Sequence, residues 1–315
     1  MGLKVVRIPS GDGDLDNITL LIACLALGVA LRKSRRVPED GHVTLNAFVL
    51  NVSLPALTLL QVHSAPLQQS FLPAALMPWA SFVFSVVLFW FIGRALGLPR
   101  TTIGALTIAC GLGNTSFIGL PMIEAFYGAS GMWIGLVIGQ LGTYLVLSTV
   151  GILVICLYSE ASVSRWEIAR RIGTFPPLLA LVAAFALRSW IYPVWVESAL
   201  GHLGETLTPL ALVSVGLQLR PRLLRGNGFA VALGLGYKLV LAPVLIALVY
   251  VGMLDLHGLT VRITVFEAAM PPQIGSAIVA MQYGLAPELI TLLVGSGTVL
   301  CFFTLPVVSY LLRAV

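Results

Sequence analysis

Asn114-Thr-Ser-Phe-Ile-Gly-Leu-Pro-Met-Ile-Glu-Ala-Phe-Tyr-Gly128 and Met270-Pro-Pro-Gln-Ile-Gly-Ser-Ala-Ile-Val-Ala-Met-Gln-Tyr-Gly284 align without a gap. Both place Ile-Gly at the fifth and sixth positions and Tyr-Gly at the end. A second pair, Leu54-Pro55-Ala-Leu57 and Thr208-Pro209-Leu-Ala211, is similar, and the two separations, 156 and 154 residues, agree. That common offset is what two related halves of one chain produce. Each half then holds five long apolar runs, and an odd number of crossings makes the second half enter a bilayer upside down, an inverted repeat.

The composition supplies the bilayer. Apolar residues make up 58% of the 315 residues and charged residues 10%, with a mean hydropathy of +0.98. A soluble domain carries about 25% charge, so a water-soluble globule is excluded, and disorder with it. The runs are continuous instead of alternating every second residue, which excludes a β-barrel. The expected fold is an all-α polytopic membrane protein with ten transmembrane helices, since crossing takes about 20 helical residues.

The expected spans cover residues 16–31, 45–63, 71–93, 102–127, 131–158, 173–190, 203–219, 227–252, 261–283 and 288–312. Residues 1–158 form the first five-helix repeat, 159–172 a cytoplasmic linker and 173–315 the second, inverted repeat. Twelve basic residues fall in loops on one side: Arg32, Lys33, Arg35, Arg36, Arg94, Arg100, Arg165, Arg170, Arg171, Arg220, Arg222 and Arg225. Five, Lys4, Arg7, Arg188, Arg262 and Arg313, fall on the other. The positive-inside rule makes the first side cytoplasmic and leaves both termini outside, in a cytoplasmic (inner) or plasma membrane. The acidic lead Asp12, Asp14, Asp16 is unlike a signal peptide, so the first span reads as a retained helix. The +5 net charge needs no nucleic-acid partner, because positive loops facing anionic membrane lipid account for it.

Proline inside a helix removes a donor and clashes with the preceding turn. Pro121 in the fourth span and Pro271-Pro272 in the ninth therefore predict broken crossover helices at corresponding places. Backbone groups freed there need protein, water or a ligand as partner, and the new helix N-termini offer amide donors to an anion. Asn114, about twelve residues into its span, can donate two hydrogen bonds to a carboxylate; Thr115 is a weaker hydroxyl candidate, and Gln273 and Ser276 follow the proline pair. Gly119, Gly111, Gly113 and Gly275 allow close backbone approach.

A charged side chain in mid-bilayer costs about 2.5–3.5 kcal/mol on insertion scales. Glu267 and Lys238 are the deeply placed ones. Glu267 is the expected ion-coupling residue, taking a proton or ligating Na+, with Lys238 as its partner or as an attractor for an anionic substrate. Glu124, near the outer end of the fourth span, reads as interfacial. No enzyme is expected. The five aspartates (Asp12, Asp14, Asp16, Asp40, Asp255) lie at the start of span one or outside the spans, the four histidines (His42, His63, His202, His257) in loops or at span ends, and no HExxH, GxSxG or P-loop pattern occurs. The four cysteines read as apolar filler.

Asn114-Thr-Ser-Phe-Ile-Gly-Leu-Pro121 with Tyr127-Gly128 is similar to the fourth-helix signature of the auxin efflux carrier family, within the bile acid, arsenite and riboflavin transporter superfamily. Asn51-Val-Ser-Leu-Pro55-Ala-Leu resembles its second helix, and Ala269-Met270-Pro271, Tyr283-Gly284 and Thr304-Leu-Pro306 resemble its last two. The resemblance implies a scaffold and a transport domain and an elevator-like alternation carrying small carboxylate-bearing organic anions. It places Asn114 on the substrate carboxylate and Pro121 and Pro271 at the crossover. The long central loop of many plant members is missing, and the doubled proline shifts Gln273 by one position. Glu267 looks like a sodium-ligating glutamate of the bile acid–sodium symporters.

The expected function is thus a secondary transporter of organic anions, with no cofactor beyond a coupling ion, Na+ or H+. The alternatives are a sodium-coupled symporter and a non-transporting membrane receptor. Gly135-x-x-x-Gly139 suits a helix contact or a homodimer.

Overall fold

A computed structural model describes residues 13–38, 40–63, 71–159, 164, 166, 170, 173–174, 176–218 and 227–314. Most of the linker 159–172 lies outside them, as do Lys4, Arg7, Asp12, Arg165, Arg171, Arg220, Arg222 and Arg225. Among the described residues every regular element is helical. This follows from bilayer chemistry, where a helix satisfies its own backbone groups.

The helices are α1 (Gly13–Lys33), α2 (Gly41–His63), α3 (Leu72–Ala95), α4 (Arg100–Gly111) and α5 (Leu120–Tyr127). They continue as α6 (Ala129–Tyr158), α7 (Pro176–Ala186), α8 (Val194–Glu205), α9 (Leu207–Gln218) and α10 (Gly228–Met253). The last three are α11 (Leu259–Ala268), α12 (Ile274–Gln282) and α13 (Pro287–Leu311). Five of these, α2, α3, α6, α10 and α13, are long and apolar enough to cross a membrane, and α7 is a shorter apolar helix. The molecule is a polytopic membrane protein.

Residues 194–202, expected to be connection, are helical instead as part of α8. Pro193 supplies the reason: its fixed φ of −58° suits a helix start, where its missing N–H costs nothing. Thr206 then separates α8 from α9.

Packing sorts the helices into two groups. In one, α9 lies along α1 and α2, and α7 and α8 lie against α2. In the other, α3 packs on α4, α6 and α11, while α4 also meets α6, α12 and α13, and α10 meets α11 and α13. Each half of the sequence contributes to both groups. In lipid the hydrophobic effect does little to join helices, so small residues and polar contacts carry the association. Gly28 of α1 and Gly216 of α9 meet backbone to backbone, and a Cβ on Gly28 would stand 2.9 Å from Gly216 Cα. In the second group Tyr250 Oη donates to Pro73 O at 2.8 Å, Tyr237 Oη to Ser81 O and Trp79 Nε1 to Leu141 O at 3.2 Å, tying α3 to α10 and α6.

Candidate functional site: a crossing of two broken helices

The fourth expected span is interrupted at residues 112–114, seven residues before Pro121. Helix α4 ends at Gly111, Leu112 is extended (φ −114°, ψ 135°), and the chain resumes as a π-turn, Thr115–Gly119, that leads into α5. Two glycines of low helix propensity, Gly111 and Gly113, and a capping asparagine make this break. Pro121 sits in the first turn of α5, where the lost donor is tolerated. The ninth span breaks at residues 269–273, where the proline pair forbids continuation.

The two breaks pair with each other. Asn114 N donates to Pro271 O at 2.8 Å and Gln273 N to Leu112 O at 3.2 Å, an antiparallel bridge centred on Gly113 and Pro272. Each span thus satisfies backbone groups that the other has freed, which keeps non-helical chain tolerable at this depth. Gly297 of α13 gives Pro272 room: a Cβ there would stand 2.6 Å from Pro272 Cδ.

Asn114 is buried, with 1% of its surface exposed. Its Oδ1 accepts from Phe117 N at 3.2 Å, capping the π-turn, and Nδ2 has no hydrogen-bond partner among the described residues. Thr115 Oγ1 donates to Thr143 Oγ1 at 3.3 Å. Gln273 Oε1 is buried and unpartnered among the described residues, and its side chain does not cap α12, so the first-turn amides of that helix lack a side-chain cap. Ser276 Oγ turns back to Gln273 O at 3.0 Å.

Glu267 and Lys238 are both buried, with no hydrogen bond between them among the described residues. Both Glu267 carboxylate oxygens lack a hydrogen-bond partner among the described residues and lie against Gly119, where a Cβ would stand 2.6 Å from Oε2. Lys238 Nζ donates instead to Ala268 O at 2.9 Å. Glu124, read as interfacial, accepts from Thr208 Oγ1 at 2.8 Å and so joins α5 to α9.

Sequence reading passed over Gln140, Thr143 and Thr58. The π-helical part of α6, Ile138–Tyr144, packs on the Thr115–Gly119 turn, Gly139 facing Ser116 and Thr115. Gln140 Nε2 donates to Thr58 Oγ1 at 2.7 Å while its Oε1 is buried and unpartnered. The signal was present: a glutamine deep in an apolar span is as costly as the asparagine that was noticed. A cavity of about 90 Å³ adjoins the crossing between α9, α12 and α13, lined by Val215, Ile274, Ala277 and Thr298. A larger one, about 270 Å³, lies between α6, α7 and α12 beside Tyr144, Ser148 and Val279. Among the described residues no group of three or more His, Cys, Asp or Glu side chains is placed to hold a metal.

A sequence profile of the family described as membrane transport protein matches residues 17–168 and 166–309. The chain belongs to that family. The resemblance to the auxin efflux carriers is thereby borne out. An uncharacterized transporter from Methanothermobacter thermautotrophicus is 28% identical over 95% of this chain and 99% of its own length. An uncharacterized transporter from Methanocaldococcus jannaschii is 22% identical over 87% of this chain and 91% of its own length. The protein is a membrane transporter by family, and its relatives' names point away from an enzyme.

Proposed function

We propose that this membrane transport protein is a secondary transporter of small carboxylate-bearing organic anions, and that the crossing of the two broken helices is its substrate site. The observation that carries this reading is a pair of buried donor groups left without acceptors. Asn114 Nδ2 is unpartnered, and the first turn of α12 lacks a side-chain cap. Amides at a helix N-terminus and a side-chain NH2 are what a carboxylate accepts from. Buried polar groups without partners are rare in folded proteins, and a ligand that supplies acceptors accounts for them. Gln140 and Thr115 add polar atoms on the α6 side. The cavity at the crossing is far smaller than the roughly 300–1,000 Å³ of an open ligand site, which fits an occluded state.

Alternating access then follows from the two helix groups. The α1, α2, α7, α8 and α9 group serves as scaffold, and the group that carries the crossing moves against it, as an elevator. Ten spans in two inverted repeats of five suit this motion. Contacts between corresponding positions of the halves favour them: Ser53 Oγ meets Thr206 Oγ1 at 2.7 Å, next to the similar Leu54-Pro55 and Thr208-Pro209 pairs, and Leu112 and Asn114 meet Gln273 and Pro271. Orientation with both termini outside a cytoplasmic membrane follows from the positive loops.

A sodium-coupled symporter of bile-acid-like anions is the second reading, favoured by the unpartnered Glu267 carboxylate. Uptake into proteoliposomes tests both. Labelled aliphatic dicarboxylates and aromatic monocarboxylates are expected to accumulate or exchange, and their uncharged amides are not. Equal transport of acids and amides would contradict the anion reading. Retained acid binding with no movement across the membrane would leave the receptor.

A further inference from the structure

Breaking a helix in lipid leaves carbonyls at its C-terminus with no amide to receive and a partial negative charge. Here α11 ends at Ala268 and α4 at Gly111, so two such ends meet at one place, together with the Glu267 carboxylate. Three sources of negative potential in a buried site call for a cation. Met270 N donates to Glu267 O at 3.2 Å, and the next carbonyl, Ala268 O, accepts from Lys238 Nζ at 2.9 Å.

We infer that the Lys238 ammonium is the resident cation of the crossing, a tethered charge that offsets the negative potential gathered there. Three observations place it there. Nζ bonds a helix-terminal carbonyl, as a small cation would. It also approaches the second broken span, lying 3.2 Å from the position of a Cβ on Gly113, the centre of the antiparallel bridge. Finally, it is not spent on a hydrogen bond to Glu267, whose oxygens are both unpartnered, so its charge serves the carbonyl end and the carboxylate together through space. Its stem leaves α10 from a π-helical stretch, Tyr237–Leu241, which sets the side chain into the core beside Cys110 and Gly113. Residues around Nζ are thus Ala268 and Glu267 of α11 and Gly113 of the crossing, with Cys110 of α4 against Gly234, one turn earlier on α10. A compact ammonium with three donors suits this role better than a planar guanidinium.

The inference deepens the proposed function by excluding alkali-cation coupling at this place, yet it can fail while the organic-anion reading stands, because its test needs no substrate. Purified protein is melted in sodium, lithium, potassium or choline chloride at equal ionic strength. The parent is expected to melt at one temperature in all four. Lys238→Ala, which leaves a cation-sized gap beside Ala268 O and Glu267, is expected to melt lower in choline and to recover part of the loss in sodium or lithium. Adding Glu267→Gln to Lys238→Ala should abolish that recovery. Should Lys238→Ala fail to accumulate, the double variant, in which both charges are gone, is expected to accumulate and to ignore the cation. A parent stabilised by sodium over choline would overturn the assignment. So would a folded Lys238→Ala indifferent to cations, or a double variant that fails to accumulate as Lys238→Ala does.

Discussion

Asn114 illustrates how one side chain can serve fold and function at once. Its carbonyl oxygen caps the π-turn through Phe117 N, which fixes the amide so that Nδ2 faces the buried crossing with no partner. Glu267 is held differently, by lack of space: its carboxylate fills the gap left by the missing side chain of Gly119. Gly119→Ala is therefore expected to destabilise the protein by about 1–3 kcal/mol, the usual cost of overpacking, and Glu267→Ala in the same chain should restore part of it. Melting of the single and double variants checks this, and an unshifted Gly119→Ala would mean the two side chains do not share that space. Asn114 and Glu267 were legible in the sequence because a polar residue in mid-span is expensive. The role of Lys238 was less so. Charge alone suggested pairing with Glu267, whereas a helix-terminal carbonyl, which no sequence displays, took the ammonium.

Among elements, the ninth-span break was legible because two consecutive prolines cannot continue a helix. The fourth-span break was legible in kind but misplaced by seven residues. A proline marks a break only where the helix would need its N–H. Pro121 falls in a first turn, while Gly111, Gly113 and the capping Asn114 end α4 earlier. Helix α8 went unread because its length resembles a loop and its start depends on Pro193. The α1–α9 contact was also unreadable, since glycines pair across 188 residues of sequence and nothing local signals it. Gly28→Leu should separate those helices, because Cβ at Gly28 already meets Val213 C at 3.0 Å and Gly216 Cα at 2.9 Å. A drop in melting temperature of several degrees in detergent is expected, larger than for the same change at Gly252, whose nearest neighbour across a Cβ stands at 3.8 Å. Equal effects at the two positions would contradict the close approach.

For the whole molecule, composition alone demanded a polytopic membrane protein, and the two related segments pointed to their meeting. What no reading of a linear chain contains is the grouping of helices, with each half divided between the two bodies. Polar contacts cross from one body to the other at Gln140–Thr58 and Glu124–Thr208. In the proposed elevator motion these two contacts would have to break and re-form. The crossing is where substrate is proposed to bind, and the central claim rests on it. That claim is tested most directly by counterflow of a labelled organic acid in proteoliposomes, comparing the parent with Asn114→Asp. The aspartate keeps the oxygen that caps Phe117 N but replaces the free donor with an acceptor, and its counterflow is compared with the parent's on protein that melts cooperatively, since a buried charge at this depth costs stability. We expect counterflow of the acid to fall at least about tenfold, in line with the loss of a hydrogen bond to a charged group. A folded Asn114→Asp that exchanges the acid at the parental rate would contradict it.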